Sequence, residues 1–357
     1  MRVLVAMSGG VDSSVAAAEL RDDGHEVVGC TLRLWGGESD SGCCSAADVD
    51  DARRVAQVLE IDHHVFNLAD EFDKHVVAPY VAAHASGSTP NPCVECNRSI
   101  KFGALLARAA RLGFEMLATG HHARVSVSDE GFELRRGRDA TKDQSYVLGF
   151  LDSAALAKVL LPIGKMTKAE VRARAHALGL RTADKPDSQE VCFIPRGRRD
   201  GFLASRTTLT PGTVIDRATG SHLGTVPALE LMTVGQRRGI GHGPDGEPRF
   251  VADVDVTART VLVGRRDDVV VSQLEVERLS VTWARRALHE GDRVLVQSSA
   301  HGAVAPATLR IGASARLEFE LPVRPVAPGQ LAVFYDTDDP ELVVGAATIA
   351  RRVPGNA

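Results

Sequence analysis

The chain has 357 residues, 42 Lys and Arg against 46 Asp and Glu, a net charge of −4, and 44% hydrophobic and 25% charged residues. That length calls for two or three domains, and the mix excludes wholesale disorder. The charge excludes a uniformly basic nucleic-acid coat protein but leaves room for a local basic surface.

The first 190 or so residues read as alternating strands and helices. Strands are expected over 2–7, 26–32, 64–67 and 116–119, and helices over 12–23, 48–59, 70–84 and 97–112. Thr167 and Glu170 form a capping-box signature and Gly179 a stop, which predicts a helix over 167–178. After about residue 205 helical periodicity fades, and Pro211-Gly212, Ala218-Thr219-Gly220 and Pro244-Asp245-Gly246 read as turns. Short strands then follow over 275–279, 293–297, 307–311, 315–319, 330–335 and 342–349, the texture of a small antiparallel barrel or sandwich. No apolar run reaches the ~18 residues of a membrane span. The apolar stretch after Met1 is too short for a signal-peptide core. A cytoplasmic chain with no membrane contact is expected. Of the six cysteines, Cys30, Cys43, Cys44, Cys93, Cys96 and Cys192, none lies beyond position 192. In a reducing compartment that clustering points to chemistry rather than a disulfide framework.

Alternating strands and helices imply a parallel sheet, with ligands outside the carboxyl ends of the strands. Ser8-Gly9-Gly10-Val11-Asp12-Ser13-Ser14 stands at such an end, between a strand and a helix. Two glycines let the backbone approach an anion. The amides from Val11 on would point at it from a helix N-terminus. The lysine of a Walker A loop is missing. A plain Gly-Ser turn is the bland alternative. Gly120-His121-His122 stands at the end of another strand.

A nucleophilic cysteine needs thiolate character, which a helix N-terminus or a nearby cation supplies. Cys96 lies at the start of the helix expected from 97, near Arg98 and Lys101; Cys192 lies in a loop behind Lys185. A zinc half-site, a redox C-x-x-C and buried packing thiols are the alternatives, although a closed zinc site needs four ligands and no second C-x-x-C exists.

The loop resembles the S-G-G-x-D-S signature of the PP-loop ATP pyrophosphatases. Across nearly the whole chain the motifs resemble the tRNA-specific 2-thiouridylases (tRNA-uridine 2-sulfurtransferases). They run from A-M-S-G-G-V-D-S at Ala6–Ser13, Cys43-Cys44-Ser45 with Asp48–Ala52, and T-P-N-P ending at Pro92, through C-N-x-x-I-K-F-G from Cys96 and A-T-G-H-x-A-R from Ala118. They continue with K-D-Q-S-Y from Lys142, K-P-D-S-Q-x-x-C-F-I from Lys185 and T-x-G-Q-R-x-G-I from Thr233. The resemblance implies a parallel-sheet α/β PP-loop catalytic domain of the adenine nucleotide alpha hydrolase type over 1–205, a small β-rich central domain over 206–272 and a C-terminal antiparallel β-barrel over 273–357.

It also implies a reaction. ATP adenylates the C2 oxygen of the wobble uridine in tRNAs for Lys, Glu and Gln. Cys192 carries a persulfide supplied ultimately by a cysteine desulfurase or sulfur-relay protein. Cys96 is its partner thiol, releasing sulfide or closing a disulfide. Ala6, Met7, Ser8, Gly9, Gly10, Val11, Asp12, Ser13, Leu32 and Gly120 would hold ATP. Asn91, Pro92, Cys93, His121, Lys142, Asp143, Gln144 and Gln330 would meet the tRNA. Mg²⁺ is expected with ATP, Asp12 being the one ligand the sequence offers, and the chain is expected to act as a monomer.

Cys93 stands where the family pattern has an acid/base aspartate. It would serve as a weak acid, fill space, or join Cys96 and Cys192 in a three-thiolate iron–sulfur site. Gln297-Ser298-Ser299-Ala300-His301 replaces an expected Arg-Tyr pair. Arg135, Arg136 and Arg138, Arg196 with Arg198 and Arg199, and Arg237 with Arg238 are basic clusters read either as phosphate contacts or as solvated surface. His122 is read as structural, and Cys43 and Cys44 receive no catalytic role. Trp35 and Trp283 are too scattered for a stacking platform. The rivals are a PP-loop amidotransferase or ligase, a tRNA cytidine thiolase, and a non-catalytic ATP-binding regulator. The first of these needs no paired cysteines.

Overall fold

The computed structural model describes residues 1–34, 45–129, 131–187, 191–194, 197–282, 288–312 and 314–353, the last three by backbone alone. Trp35, Cys43, Cys44, Arg196 and Trp283 lie outside the described residues, as do positions 188–190 of the Lys185 motif.

Strand β1 (Arg2–Ala6) is the centre of the first sheet. Its Val3, Leu4 and Val5 are buried on both faces, as a parallel strand covered by helices requires. β2 (Glu26–Arg33) and β3 (Asp62–Asn67) lie to one side, β4 (Met116–Thr119) to the other. A hairpin follows, β5 (Ala123–Ser128) and β6 (Gly131–Arg136), and then β7 (Val159–Leu160) at the far edge. The sheet order is β3-β2-β1-β4-β7, with every pairing parallel. The order therefore reverses at β1, and a crevice opens outside the carboxyl ends of β1 and β4. Helix α1 (Val11–Asp22) leaves the end of β1 and is buried along most of its length by Val11, Val15, Leu20 and three consecutive alanines. Helix α2 (Ala46–Leu59) opens on a capping box between Ser45 and Asp48.

Four strands make the second unit: β8 (Gly212–Asp216), β9 (His222–Val226), β10 (Phe250–Asp255) and β11 (Thr260–Gly264), in the order β10-β11-β8-β9. Arg249 and Asp216, both nearly inaccessible, pair inside it at 2.7 Å. The third unit is a closed barrel of β12 (Val271–Val281), β13 (Arg293–Gln297), β14 (Ala305–Ile311), β15 (Ala315–Val323), β16 (Leu331–Tyr335) and β17 (Leu342–Val353). The β12–β17 pairing closes the ring and removes the open edges.

The hairpin β5–β6 was not expected from the sequence. It belongs by chain position to the first unit, yet β6 pairs with β17, Leu342 opposite Arg135 and Val343 opposite Leu134. Arg135 and Arg136, weighed above as phosphate contacts, are spent on this junction. Arg135 pairs with Glu133 and Asp339. Arg136 bonds Asp143 and Gln297 and lies 3.7 Å over the Tyr335 ring. On β16 the period of two does the rest: Leu331, Val333 and Tyr335 pack into the core of the first unit, while Ala332 and Phe334 face the barrel interior. The Tyr146 hydroxyl crosses the same boundary to donate to the Leu331 carbonyl at 2.8 Å.

Tyr146→Phe leaves that carbonyl unsatisfied and is expected to cost about 1–2 kcal/mol, read from urea denaturation midpoints. His84 is buried where the helix Ala78–Ala85 meets the second unit, its Nδ1 2.9 Å from the Glu230 carbonyl. Burial holds its pKa down at about 4. The unfolded chain takes up a proton at a higher pH than the folded one does. The neutral His84 therefore contributes fully above pH ~6.5, and that contribution is lost as pH falls from there to about 4. His84→Gln is expected to flatten the slope between pH 7 and 4. Some slope remains, because burial also holds His63 at about 4.

Candidate active site

The phosphate loop sits in the β1–β4 crevice. Gly9 has φ +71°, and a Cβ there would stand 2.3 Å from the Asp48 carbonyl oxygen. Gly120, at the end of β4, has no room for a Cβ either: it would meet the Ser13 amide nitrogen at 2.5 Å. Three chain segments thus converge with only hydrogen between them. Gly10 precedes α1 and places no side chain over its first turn. The Ser13 hydroxyl accepts from the Ser8 amide at 3.1 Å and lies 3.3 Å from the Ser8 hydroxyl. The Ser14 hydroxyl donates to the Gly10 carbonyl at 2.8 Å. A braced turn feeding an uncapped helix start is an anion cradle. Met7 is buried, held through its amide by Cys30 and through its carbonyl by Thr31. Leu32 packs in the main core.

Around the cradle lies a net of ion pairs. Lys168 grips both oxygens of Asp12, at 2.8 and 2.7 Å, and also Asp187 at 2.8 Å. His122 Nε2 lies 3.2 Å from Asp12. Asp187 also takes Lys142 and Arg172, each at 2.8 Å. Burial works to raise the Asp187 carboxyl, but the hydrogen bonds from Lys142 and Lys168 outweigh it and bring it down to about 2. The same contest leaves Asp12 lowered through His122 and Lys168. Lys185 donates to the Gly9 carbonyl at 2.9 Å and pairs with Asp48 at 2.7 Å and Asp51 at 2.8 Å. Lys168 was not singled out from sequence, Asp48 and Asp51 entered only within the family stretch Asp48–Ala52, and His122 was set aside as structural. No local pattern marks a lysine that reaches the loop from a helix more than 150 positions away.

His121 is buried and bonds Thr119 through Nδ1 at 2.7 Å. Burial, with Lys101 and His122 nearby, holds it far below its usual pKa, so it is neutral. Its neighbour His122 is also buried, and the His122 Nδ1 finds no partner among the described residues.

The cysteines call for one correction. The helix expected from 97 begins at Pro92, with the Asn91 side chain accepting from the Cys93 amide at 3.0 Å. It runs through π-turns over Cys96–Leu105 into Leu106–Arg111. The helix N-terminus that was to favour a thiolate therefore lies at exposed Cys93, and Cys96 sits a turn further in, buried. Cys192 is half-buried and packs against the core cluster that contains Cys96. Its neighbour Phe193 is wedged among Phe72, Tyr80 and Phe202, with ring centroids 5.3–5.5 Å away. Burial pushes Cys30 up to about 12, which makes it inert. Among the described residues, no three His, Cys, Asp or Glu side chains come together to hold a metal ion, the trio Cys93, Cys96 and Cys192 included.

Of the residues expected to meet RNA, Lys142 is partly exposed on Asp187, whereas the Asp143 carboxylate turns inward to Arg136, the Gly137 amide and Ser145. Gln144 accepts from the His122 amide at 2.8 Å. Gln330 donates to the Thr89 carbonyl, tying the barrel to the Asn91-Pro92 loop. Gln297 is buried on Arg136, while Arg198, Arg237, Arg238 and His301 are exposed.

Three family models match the chain: a tRNA methyl transferase HUP domain over residues 1–196, a tRNA methyl transferase PRC-barrel domain over 200–265 and an aminomethyltransferase beta-barrel domain over 272–349. A protein of Acidothermus cellulolyticus called tRNA-specific 2-thiouridylase MnmA is 48% identical, over 98% of each chain. Its namesake from Mycolicibacterium smegmatis is 46% identical, over 99% of this chain and all of its own. A 4-thiouridine synthetase solved with RNA and ATP aligns over 54% of this chain and 44% of its own, at 18% identity and a TM-score of 0.34, too low to carry weight.

Gly120→Ala is expected to weaken ATP binding at least ~10-fold, or about 1.4 kcal/mol, by calorimetry. Native affinity in that variant would mean that the close approach of β4 to α1 does not shape the cradle.

Proposed function

The chain belongs to the tRNA-specific 2-thiouridylases, which are tRNA sulfurtransferases, and from that membership we propose that it thiolates C2 of the wobble uridine in the tRNAs for Lys, Glu and Gln at the expense of ATP. The observation that carries this reading is the joint placement of its two kinds of chemistry. An anion cradle lies at the β1–β4 crevice, and Cys96 and Cys192 share one packed cluster of the same unit. A ligase passing nitrogen to an adenylate has no use for the second of these.

The cradle amides, with Ser8 and Ser13, hold the phosphates and accept the charge that develops as pyrophosphate leaves. The uridine C2 oxygen attacks the α-phosphorus, and the P–O bond to the β-phosphate breaks. A carbonyl oxygen is thereby turned into a leaving group. Cys192 carries a persulfide, delivered from a cysteine desulfurase directly or by a relay protein. Its terminal sulfur goes to C2, and AMP departs with the former carbonyl oxygen. Cys96 attacks Sγ of Cys192 and breaks the S–S bond, either before that step, releasing hydrosulfide, or after it. In either order the transferred sulfur gains two electrons and Cys96 and Cys192 end as a disulfide, which an external thiol must reduce.

Neutral His121, beside Phe102 at a centroid distance of 6.0 Å, would meet the extruded base. Anticodon bases are already unpaired, so extrusion is cheap. Mg²⁺ bound with the nucleotide would screen phosphate charge. Asp12, a hard oxygen donor beside the cradle, would hold such an ion only by giving up its contact with Lys168. Exposed Cys93 at the helix start is read as a weak acid beside the base. We divide the chain into a catalytic module over 1–205, a linker module over 206–272 and a barrel over 273–357, with tRNA lying across all three in a cytoplasmic setting.

Incubation with ATP, Mg²⁺, a persulfide donor and unmodified tRNA for Glu should give RNA retarded on a mercury-containing gel. Cys192→Ser is expected to abolish the retarded band, and Cys96→Ser to hold turnover to a small fraction of native. An undiminished band with Cys192→Ser would overturn the sulfur path. AMP and pyrophosphate released with some other acceptor, and no band, would overturn the tRNA reaction.

A further inference from the structure

Cys93-Val94-Glu95-Cys96 is a C-x-x-C whose two thiols stand in opposite surroundings. Cys93 is exposed in the first turn of a helix, with Pro92 before it and its amide held by the Asn91 side chain. Cys96 lies one turn further in and is only 7% exposed, beyond the reach of a thiol in solution. One unbroken helical path carries both, Pro92–Glu95 leading into Cys96–Leu105. Residues three apart on a helix share a face, with about 5–6 Å between Cβ atoms. A disulfide needs ~3.5–4.5 Å. The difference is an adjustment of about an ångström or two at a helix end, where the first amides have no intrahelical partner to lose. Cys192, half-buried, packs against the cluster that holds Cys96.

The reaction proposed above ends with Cys96 and Cys192 joined, and that bond has to be opened before another persulfide can be loaded. A reductant from solution cannot approach the Cys96 sulfur. If it attacks Cys192 instead, it is left bound to the very thiol that must take the next sulfur. Cys93 avoids both difficulties. It is exposed, it shares a helix face with Cys96, and an attack held in place is far faster than the same thiol acting from solution. The first turn of a helix is also where a thiolate is favoured. Among the described residues Cys93, Cys96 and Cys192 do not converge as a metal site would require, which is compatible with exchange between two sulfurs at a time.

We propose that Cys93 is a second resolving thiol, which carries the disulfide from the interior to the surface after each turnover. Cys93 gives its proton to water, and its electron pair forms a bond to Sγ of Cys96. The Cys96–Cys192 bond breaks, and its pair leaves on Sγ of Cys192, which takes up a proton. This exchange involves no net oxidation. An external dithiol then attacks the Cys93–Cys96 disulfide at exposed Cys93. A second exchange returns both thiols and leaves the dithiol oxidised. Cys192 is thus open to the next persulfide before the reductant has arrived. The inference rests on the function proposed above for the origin of the first disulfide, and it gives Cys93 a part in the sulfur chemistry besides that of a weak acid.

The test maps disulfides after a single turnover. Full-length protein charged with persulfide is mixed with ATP, Mg²⁺ and unmodified tRNA for Glu in the absence of added thiol, then quenched and alkylated with N-ethylmaleimide. A protease that cuts after glutamate separates Cys93 from Cys96 at Glu95, and the linked peptides are identified by mass spectrometry. The Cys93–Cys96 disulfide is expected to exceed Cys96–Cys192 by about fivefold or more, with Cys192 alkylated. Cys93→Ser is expected to show Cys96–Cys192 alone. Cys93→Asp keeps an acid but has no sulfur; with dithiol limiting, its steady-state rate is expected to fall ~10-fold further than its first turnover does. A native disulfide that stays at Cys96–Cys192, or a Cys93→Asp steady state that falls no further than the first turnover, overturns the inference and leaves the proposed function standing. A native protein that gives neither thiolated tRNA nor a disulfide overturns both.

Discussion

A backbone amide can grip a phosphate only where nothing stands between the two, and the structure depends on meeting that condition in a crowded place. The start of α1, the end of β4 and the start of α2 all converge on a few ångströms. Gly9 and Gly120 are the positions where a single carbon atom would force them apart. Gly164 does similar service further out, where a Cβ would overlap the Ala123 carbonyl that leads into the hairpin. The strand reversal at β1 makes the crevice; the missing side chains let it close to binding distance.

The charge around the crevice follows from the same crowding. Asp12, Asp48, Asp51 and Asp187 are brought near a site meant for an anion, which would be self-defeating if they stood alone. Each is matched by a cation that reaches in from elsewhere: Lys168 and Arg172 from one helix, Lys142 from the turn after the hairpin, Lys185 from the stretch before Cys192. The site is close to neutral at rest, and its lysines can answer to a new negative charge without first being dragged out of water.

Much of this was legible in the sequence because it is local. A Gly-Gly turn between an apolar strand and a helix, a capping box at Thr167 and Glu170, and the two-residue period of the barrel strands each declare themselves within a dozen positions. Most of the misses are nonlocal. The hairpin β5–β6 looks like charged surface until β17 pairs with it, and Arg135 and Arg136 look like phosphate ligands until Asp143, Gln297 and Asp339 claim them. The start of the Cys96 helix is a local miss: Pro92 is a preferred first residue of a helix once Asn91 caps it. Lys168 carries no signal at all short of the fold.

Strand β16 is buried on both faces, one against the barrel and one against Leu134, Tyr146 and Leu148 of the catalytic unit. The Tyr146 partner at Leu331 lies 185 positions downstream. A chain emerging from the ribosome presents its nucleotide-binding sheet first but leaves that apolar face bare until the barrel has been made. The unit synthesised earliest is then among the last to be completed. During translation its unfinished face is a natural surface for a chaperone, and a stalled or truncated product would betray itself by that stickiness before any loss of chemistry.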